Sequence, residues 1–390
     1  MIICSDIVTF TNQIQEAIHM SQVKKSTRAW GSPGRYIQGP GELMNLPLYS
    51  AKFGKRVFII IDQFFYEDLT AKLTERYAGE DAQIKTIIFN SEVTEKQIEE
   101  TTEAAREFAP QIIVGIGGGK TLDTAKAVAD NYKTGVIIVP TSASTDAPTS
   151  ALSVLYKENG EHSHARNYDK SPDLVLLDSE IIAQAPVRFL VSGMGDALST
   201  IFEARANQRS DSPNYISGGY RQTKTAMAVA EACYSTLLEK GLQAKLAVEN
   251  KIVTEALEDI IEVNTLMSGL GFENTGCAGA HSVGDGVTAL PAGKKTLHGE
   301  KVSFGVICQL LAENAPTDLI EEVILFNLSV GLPVTLADLY VDTTPENLRT
   351  MAVCSMHSFW DAEPFLVTED RVVDIILAGD ALGRYYKSIT

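Results

Sequence analysis

The sequence predicts an α/β domain built on a parallel sheet, followed by an all-helical domain. Three observations carry this. Between Arg56 and Asp178, short β-branched runs alternate with helix-patterned stretches. Those runs are apolar almost throughout rather than at every second position, as in strands covered on both faces. From about Pro186 onward, helix formers dominate and no convincing strand follows. The division expected is an N-terminal arm over 1–31, an α/β domain over 32–185 and a helical domain over 186–390.

Taken in order, "RVFIIID" (Arg56 to Asp62) is a compact strand ending in an acid, and "QIKTIIF" (Gln83 to Phe89) is a second strand. "TEKQIEETTEAAREF" has apolar residues at helical spacing, with Thr94 placed to cap it. "QIIVGIGG" is a third strand running into glycines, "KTLDTAKAVAD" a helix and "TGVIIVP" a fourth strand, and "DLVLLD" (Asp173 to Asp178) closes the alternation. The polar "KENGEHSHARNYD" reads as a loop. The opening "MIICSDIVTF" lacks a basic start and is broken by Asp6, so it is a poor signal peptide, and Met20 offers an alternative start.

Composition narrows the function. The 390 residues are 45% hydrophobic and carry a formal net charge of −17. That acidity argues against nucleic acid or an anionic membrane as partner, since both need a basic face. Five dispersed cysteines without C-x-x-C spacing read as reduced thiols of a cytoplasmic protein.

Ligands of a parallel sheet gather at the carboxyl ends of its strands. Asp62, the run Gly117, Gly118 and Gly119, and "PTSASTDAPTSALSVLY" (Pro140 to Tyr156) all fall there. In "VGIGGGKTLDTAKA" (Val114 to Ala127) both standard nucleotide fingerprints fail by one residue. The dinucleotide pattern counted from Gly115 meets Lys120 at its sixth position, and the P-loop pattern meets Val114 where its first glycine belongs. A glycine loop opening a helix still suits a pyrophosphate, and an acid ending a strand suits a ribose diol. Here the acid precedes the glycines, the reverse of the usual order.

Of the six histidines, His162 and His164 lie in the polar segment, His19 in the arm, and His357 is isolated. His281 in "GAHSVGDG" and His298 in "LHGEKVSFG" remain. Each alone reads more readily as a hydrogen-bonded core histidine than as a ligand, and Asp196 in "GMGDALST" as a helix cap. One carboxylate with two imidazoles would leave an open position on a catalytic Zn²⁺ or Fe²⁺.

"SPGRYIQG", "GIGGGKTLDTAKA", "STDAPTSALSVLY", "GDALST" with "FEARA", "AHSVGDGVTALP" and "HGEKVSFG" together resemble the iron-containing, or group III, alcohol dehydrogenase family, in particular its glycerol dehydrogenases, from Ser32 to the C-terminus. The resemblance implies a dehydroquinate synthase-like fold and an NAD- and metal-dependent oxidoreductase taking glycerol, or another vicinal diol, to its ketone. Asp196, His281 and His298 match the family's metal ligands, with Zn²⁺ expected and Fe²⁺ the other candidate. Asp62 matches the ribose contact. Gly118, Gly119, Lys120 and Asp123 match the pyrophosphate loop. Thr141, Ser144, Ser150, Leu152 and Tyr156 match further cofactor contacts. Asp146 matches a polyol contact, so Asp146 and His281 are the expected catalytic residues. A homo-oligomer, as a ring-like octamer, is also implied.

The family's H-A-x-H-N-G is departed from: Gly284 and Asp285 stand where it has His and Asn. The alternatives within the superfamily are a sugar-phosphate cyclase and a glycerol-1-phosphate dehydrogenase. Either needs cations for a phosphate, and only Lys294, Lys295 and Lys301 are candidates. A non-catalytic NAD sensor would have no use for the metal ligands.

Overall fold

The structure, a computed structural model, describes residues 26–160, 162–356 and 359–390. Residues 1–25, with His19, and His357 lie outside these.

Six parallel strands form one sheet: β1 (Tyr36–Gly39), β2 (Arg56–Asp62), β3 (Gln83–Phe89), β4 (Ile112–Gly117), β5 (Gly135–Pro140) and, after a hairpin, β8 (Leu174–Asp178). The order across the sheet is β1-β8-β5-β4-β2-β3. The hairpin is β6 (Leu152–Tyr156) paired antiparallel with β7 (His162–Asn167). Helices α1 (Leu46–Ser50), α2 (Tyr66–Tyr77), α3 (Glu95–Phe108) and α4 (Gly119–Tyr132) lie between the strands.

The apolar runs are buried on both faces, as their composition demands. In β2, Val57, Ile59 and Ile61 enter one core, with Leu43, Leu46, Leu69 and Leu73. Phe58 and Ile60, pointing the other way, join a second core that continues into the helical half through residues such as Met194, Leu198 and Val306. Thr94 caps α3 as expected, its side chain accepting from Gln97 N–H.

After β8 every described regular element is helical. These are α5 (Ser179–Gln184), α6 (Val187–Ser210), α7 (Lys224–Glu249), α8 (Glu255–Glu262), α9 (Ser268–Thr275), α10 (Gly279–Thr288), α11 (His298–Ala312), α12 (Thr317–Val330), α13 (Pro345–Ser355) and α14 (Glu369–Ile389), with short 3₁₀ turns between some of them. A π turn, Val263–Met267, joins α8 to α9.

Four elements differ from the sequence reading. β1 is an unforeseen edge strand, and β6 is an unforeseen strand within "PTSASTDAPTSALSVLY". The polar segment read as a loop contains β7, whose exposed side chains gave no alternating signal; main-chain pairing with β6 holds it. Within the expected arm, residues 27–31 are docked. Arg221 N–H donates to Thr27 O, and Asn274 both accepts from Gly31 N–H (2.8 Å) and donates to Gly31 O (2.9 Å).

Candidate active site

The chain runs from β2 outward to β3 and then returns to place β4 on the other side of β2. The loops leaving β2 and β4 therefore diverge, which opens a crevice at their carboxyl ends. Asp62 ends β2 and Gly117 ends β4 at that point. A β-carbon on Gly117 would lie 2.8 Å from Asp62 Cβ and 2.6 Å from Thr121 Oγ1. The reversed order of acid and glycines in the sequence thus produces the usual spatial pairing.

The three glycines divide by role. Gly117 is required by packing, as is Gly115, whose β-carbon would meet Ala125 Cβ at 2.5 Å. Gly118 and Gly119 would meet nothing within 4 Å, so they leave room beside the N-terminus of α4. That space, the free N–H groups of the first turn and the helix dipole fit a pyrophosphate. Asp62 accepts from Phe64 N–H (2.9 Å) and Thr121 Oγ1 (3.5 Å). The exposed Lys120 pairs with Glu92.

Of the remaining residues expected at the cofactor, Asp123 lies in α4 and the others along the segment from Thr141 to Tyr156. Thr141 is buried, and its N–H donates to Gly117 O (3.0 Å). Ser144 lies 3.2 Å from Ser142, oxygen to oxygen. Tyr156 ends β6, and its N–H donates to Val93 O (2.8 Å). Asp123 and Ser150 are buried and engaged within the protein. Asp123 accepts from Val154 N–H (3.0 Å), and Ser150 Oγ donates to Ala147 O (3.1 Å).

In the helical half, Asp196, His281 and His298 meet, although α6, α10 and α11 supply one each. Asp196 Oδ1 lies 3.6 Å from His281 Nε2 and 3.3 Å from His298 Nε2, and the two Nε2 atoms are 3.3 Å apart. Asp196 sits in the middle of α6, so it caps nothing. His298 is the first residue of α11.

Glycines permit the convergence. A β-carbon on Gly195 would lie 2.3 Å from Gly299 O, one on Gly299 1.8 Å from Ser192 O, and one on Gly305 2.1 Å from Ala280 O. Each contact flanks a member of the triad. The start of α11 is fixed by Glu300, which accepts from Leu297 N–H (2.8 Å) and forms a bidentate pair with Arg188 (2.5 and 2.7 Å).

The donor set fits a divalent cation. Four-coordinate Zn²⁺ with bonds of about 2.0–2.1 Å holds its ligand atoms about 3.3–3.4 Å apart, close to the spacing found. Asp196 Oδ1 is buried without a hydrogen-bond donor. Burial favours a neutral Asp196, but His298 and His281 hold its carboxyl well below the usual range. The Asp196 side chain is fully buried while that of His298 is 43% exposed, so the triad is open on one side.

Sequence reasoning missed Glu203. It lies two turns along α6 from Asp196 and accepts from His281 Nδ1 (2.7 Å), from His281 N–H (3.0 Å) and from Ala278 N–H (2.8 Å). With Nδ1 donating to this carboxylate, Nε2 turns its lone pair toward Asp196 and His298. The seven-residue spacing of two acids on one helix face was the available signal.

Asp146 abuts the triad from the α/β side. Its N–H donates to Asp196 Oδ2 (3.2 Å), and its Oδ2 accepts from Ser268 Oγ (2.9 Å). Burial, and then the Asp196 carboxylate, raise its carboxyl well above the usual range.

Residues 33–179 match the family model of the iron-containing alcohol dehydrogenases. The glycerol dehydrogenase of Thermotoga maritima is 46% identical over 363 residues, covering 92% of this chain and 98% of that protein. The chain belongs to the iron-containing alcohol dehydrogenase family. Another relative, the glycolaldehyde reductase of Halobacterium salinarum, is 40% identical over 92% of this chain and 98% of its own length. Among solved structures, the glycerol dehydrogenase of Schizosaccharomyces pombe superposes with a TM-score of 0.88 at 32% identity, over 93% of this chain and 92% of that one. The two-part architecture of the family, a parallel sheet with helices followed by a helical part, is the one expected from the sequence. No helix among the described residues is long and apolar enough to cross a membrane.

Proposed function

We propose that this chain is an NAD-linked, metal-dependent dehydrogenase of vicinal diols that oxidises glycerol to dihydroxyacetone with release of NADH and a proton. The observation that carries the reading is the triad of Asp196, His281 and His298, spaced for one divalent cation, exposed at His298 and abutted by Asp146. When bound, the metal would polarise a substrate hydroxyl and the nicotinamide would accept the hydride.

The protein's own residues do the rest. Gly118, Gly119 and the N-terminus of α4 receive the pyrophosphate, and Asp62 the ribose hydroxyls. Ser144 and Tyr156 line the same segment. Asp146 holds a substrate hydroxyl against the triad. Glu203 keeps the His281 ring in one orientation and tautomer. At Gly284 a β-carbon would meet Val302 Cγ2 at 3.4 Å, an ordinary contact, and this chain has no imidazole there to bear on the substrate.

Two of the three candidate lysines for the phosphate-binding alternatives are engaged within the protein. Lys301 is buried and donates to Thr288 Oγ1 (2.8 Å), and Lys295 lies over the Tyr340 ring.

The test is a panel. Glycerol, 1,2-propanediol and 2,3-butanediol are each mixed with NAD and protein, and glycolaldehyde with NADH, while nicotinamide absorbance is followed. Turnover of glycerol that chelation stops and Zn²⁺ restores is expected. Full activity in a metal-free preparation overturns the reading.

A further inference from the structure

Lys126 is 3% exposed and belongs to α4, two turns beyond the glycine loop. A buried ammonium is costly unless its protons are placed, and these are. Nζ donates to Ala147 O (2.5 Å) and Leu152 O (3.0 Å), and it lies 3.4 Å from Ser150 Oγ and 3.6 Å from Asp123 Oδ1. Ala147 follows Asp146 directly, and Leu152 opens β6. The ammonium therefore ties together both ends of the segment that carries the diol contact and the last cofactor contacts.

The helical half grips the same segment from the other side. Glu273 of α9, also buried, accepts from Ala151 N–H (2.8 Å). Thr149 Oγ1 donates to Thr265 O in the π turn (3.1 Å), and Ser268 holds the Asp146 carboxyl. An apolar side chain as long as lysine could fill the space at 126. It could not join two carbonyls five residues apart.

We propose that Lys126 and Glu273 are positioning residues that clamp residues 146–152 from the two halves of the molecule. They fix the register of this segment against the glycine-loop helix, and so set its cofactor and diol contacts together. The inference rests on the dehydrogenase reading above.

Lys126→Met is purified with its metal, titrated with NADH by nucleotide fluorescence, and assayed with glycerol and NAD. The expected result is a rise of about tenfold or more in both the NADH dissociation constant and the KM for the diol, with metal content as in wild type. Asp146→Ala, in contrast, raises the diol KM alone. A soluble Lys126→Met protein with wild-type values of both constants overturns the proposal, whatever its melting temperature. If that variant does not fold, Glu273→Ala carries the test, because it frees Ala151 N–H and leaves the lysine in place. The paired rise supports the proposal, and unchanged constants overturn it. Wild-type protein that binds no NADH overturns the dehydrogenase reading and this inference with it. Wild-type protein that binds NADH, beside variants that bind it equally well, overturns the inference alone.

Discussion

Gly195 and Gly299 pack backbone against backbone where α6 crosses α11, and the residue beside each is a member of the Asp196–His281–His298 triad. A β-carbon on Gly299 would stand 1.8 Å from the Ser192 carbonyl oxygen and 2.7 Å from Asp196 N. Both atoms belong to helix backbone and cannot step aside without moving the helix.

Gly299→Ala should therefore separate the helices and draw His298 away from Asp196. We expect a loss of stability of about 3 kcal/mol, seen in chemical denaturation, together with loss of bound metal. A variant that retains metal at wild-type affinity would show that the crossing does not set the site.

Glu203→Gln keeps the side-chain shape but weakens the acceptor for His281 Nδ1. Metal affinity should fall by about 10- to 100-fold, measured by competition with a chelator, while NADH binding stays at the wild-type value. A Glu203→Gln protein that competes as wild type does would remove Glu203 from the site.

On the proposed reading, Asp62 faces the adenosine ribose, where a 2′-phosphate would meet its carboxylate. NAD should be preferred over NADP, and Asp62→Ser should narrow that preference by improving NADP relative to NAD. Equal kcat/KM for the two cofactors in the wild type would mean that Asp62 does not face the ribose.

Glu363 gives a pH-dependent stability. It is buried, accepts from Gly279 N–H at the start of α10, and lies near Glu313, Arg209 and Glu203. Burial, and then Glu313, push its carboxyl up to about 8. The folded state thus binds this proton more tightly than the unfolded chain, so stability is full below the ordinary carboxylate range and falls as pH rises toward 8. The melting temperature should drop by a few degrees between pH 6 and pH 9, and Glu363→Gln should flatten that slope. An identical slope in the variant would assign the pH dependence to other groups.

A chain starting at Met20 keeps the docking of Thr27 and Gly31 and should retain activity and melting temperature. One starting at Ser32 loses the paired Asn274–Gly31 hydrogen bonds and should melt lower. Equal melting of the two would show that residues 27–31 add nothing to stability.

The sheet was legible because burial on both faces forces near-continuous apolar runs, as in "RVFIIID" and "TGVIIVP". β1 was not, since four half-buried residues carry no pattern. β7 was not, because main-chain pairing rather than side-chain burial holds it. The glycine loop announced a helix N-terminus. Its partnership with Asp62 needed the strand order, which no local stretch encodes. The triad of Asp196, His281 and His298 was the least legible part. Asp196 reads as a cap beside Gly193 and Gly195, but both glycines lie in mid-helix: Gly195 packs on Gly299 where two helices cross, and Gly193 packs on the Ala143 carbonyl. Without the resemblance, nothing joins three residues so far apart in the chain.

No thiolate belongs to the triad. Cys277 stands beside His281, but burial pushes its thiol up to about 11, so at physiological pH it stays protonated. One carboxylate and two imidazoles bind several first-row divalent ions, with affinities ranked by the ion more than by the protein. The ion found in a purified sample will then reflect what the culture and the buffers supplied. Re-metallated series, rather than as-isolated metal contents, are the measurement that assigns the working ion.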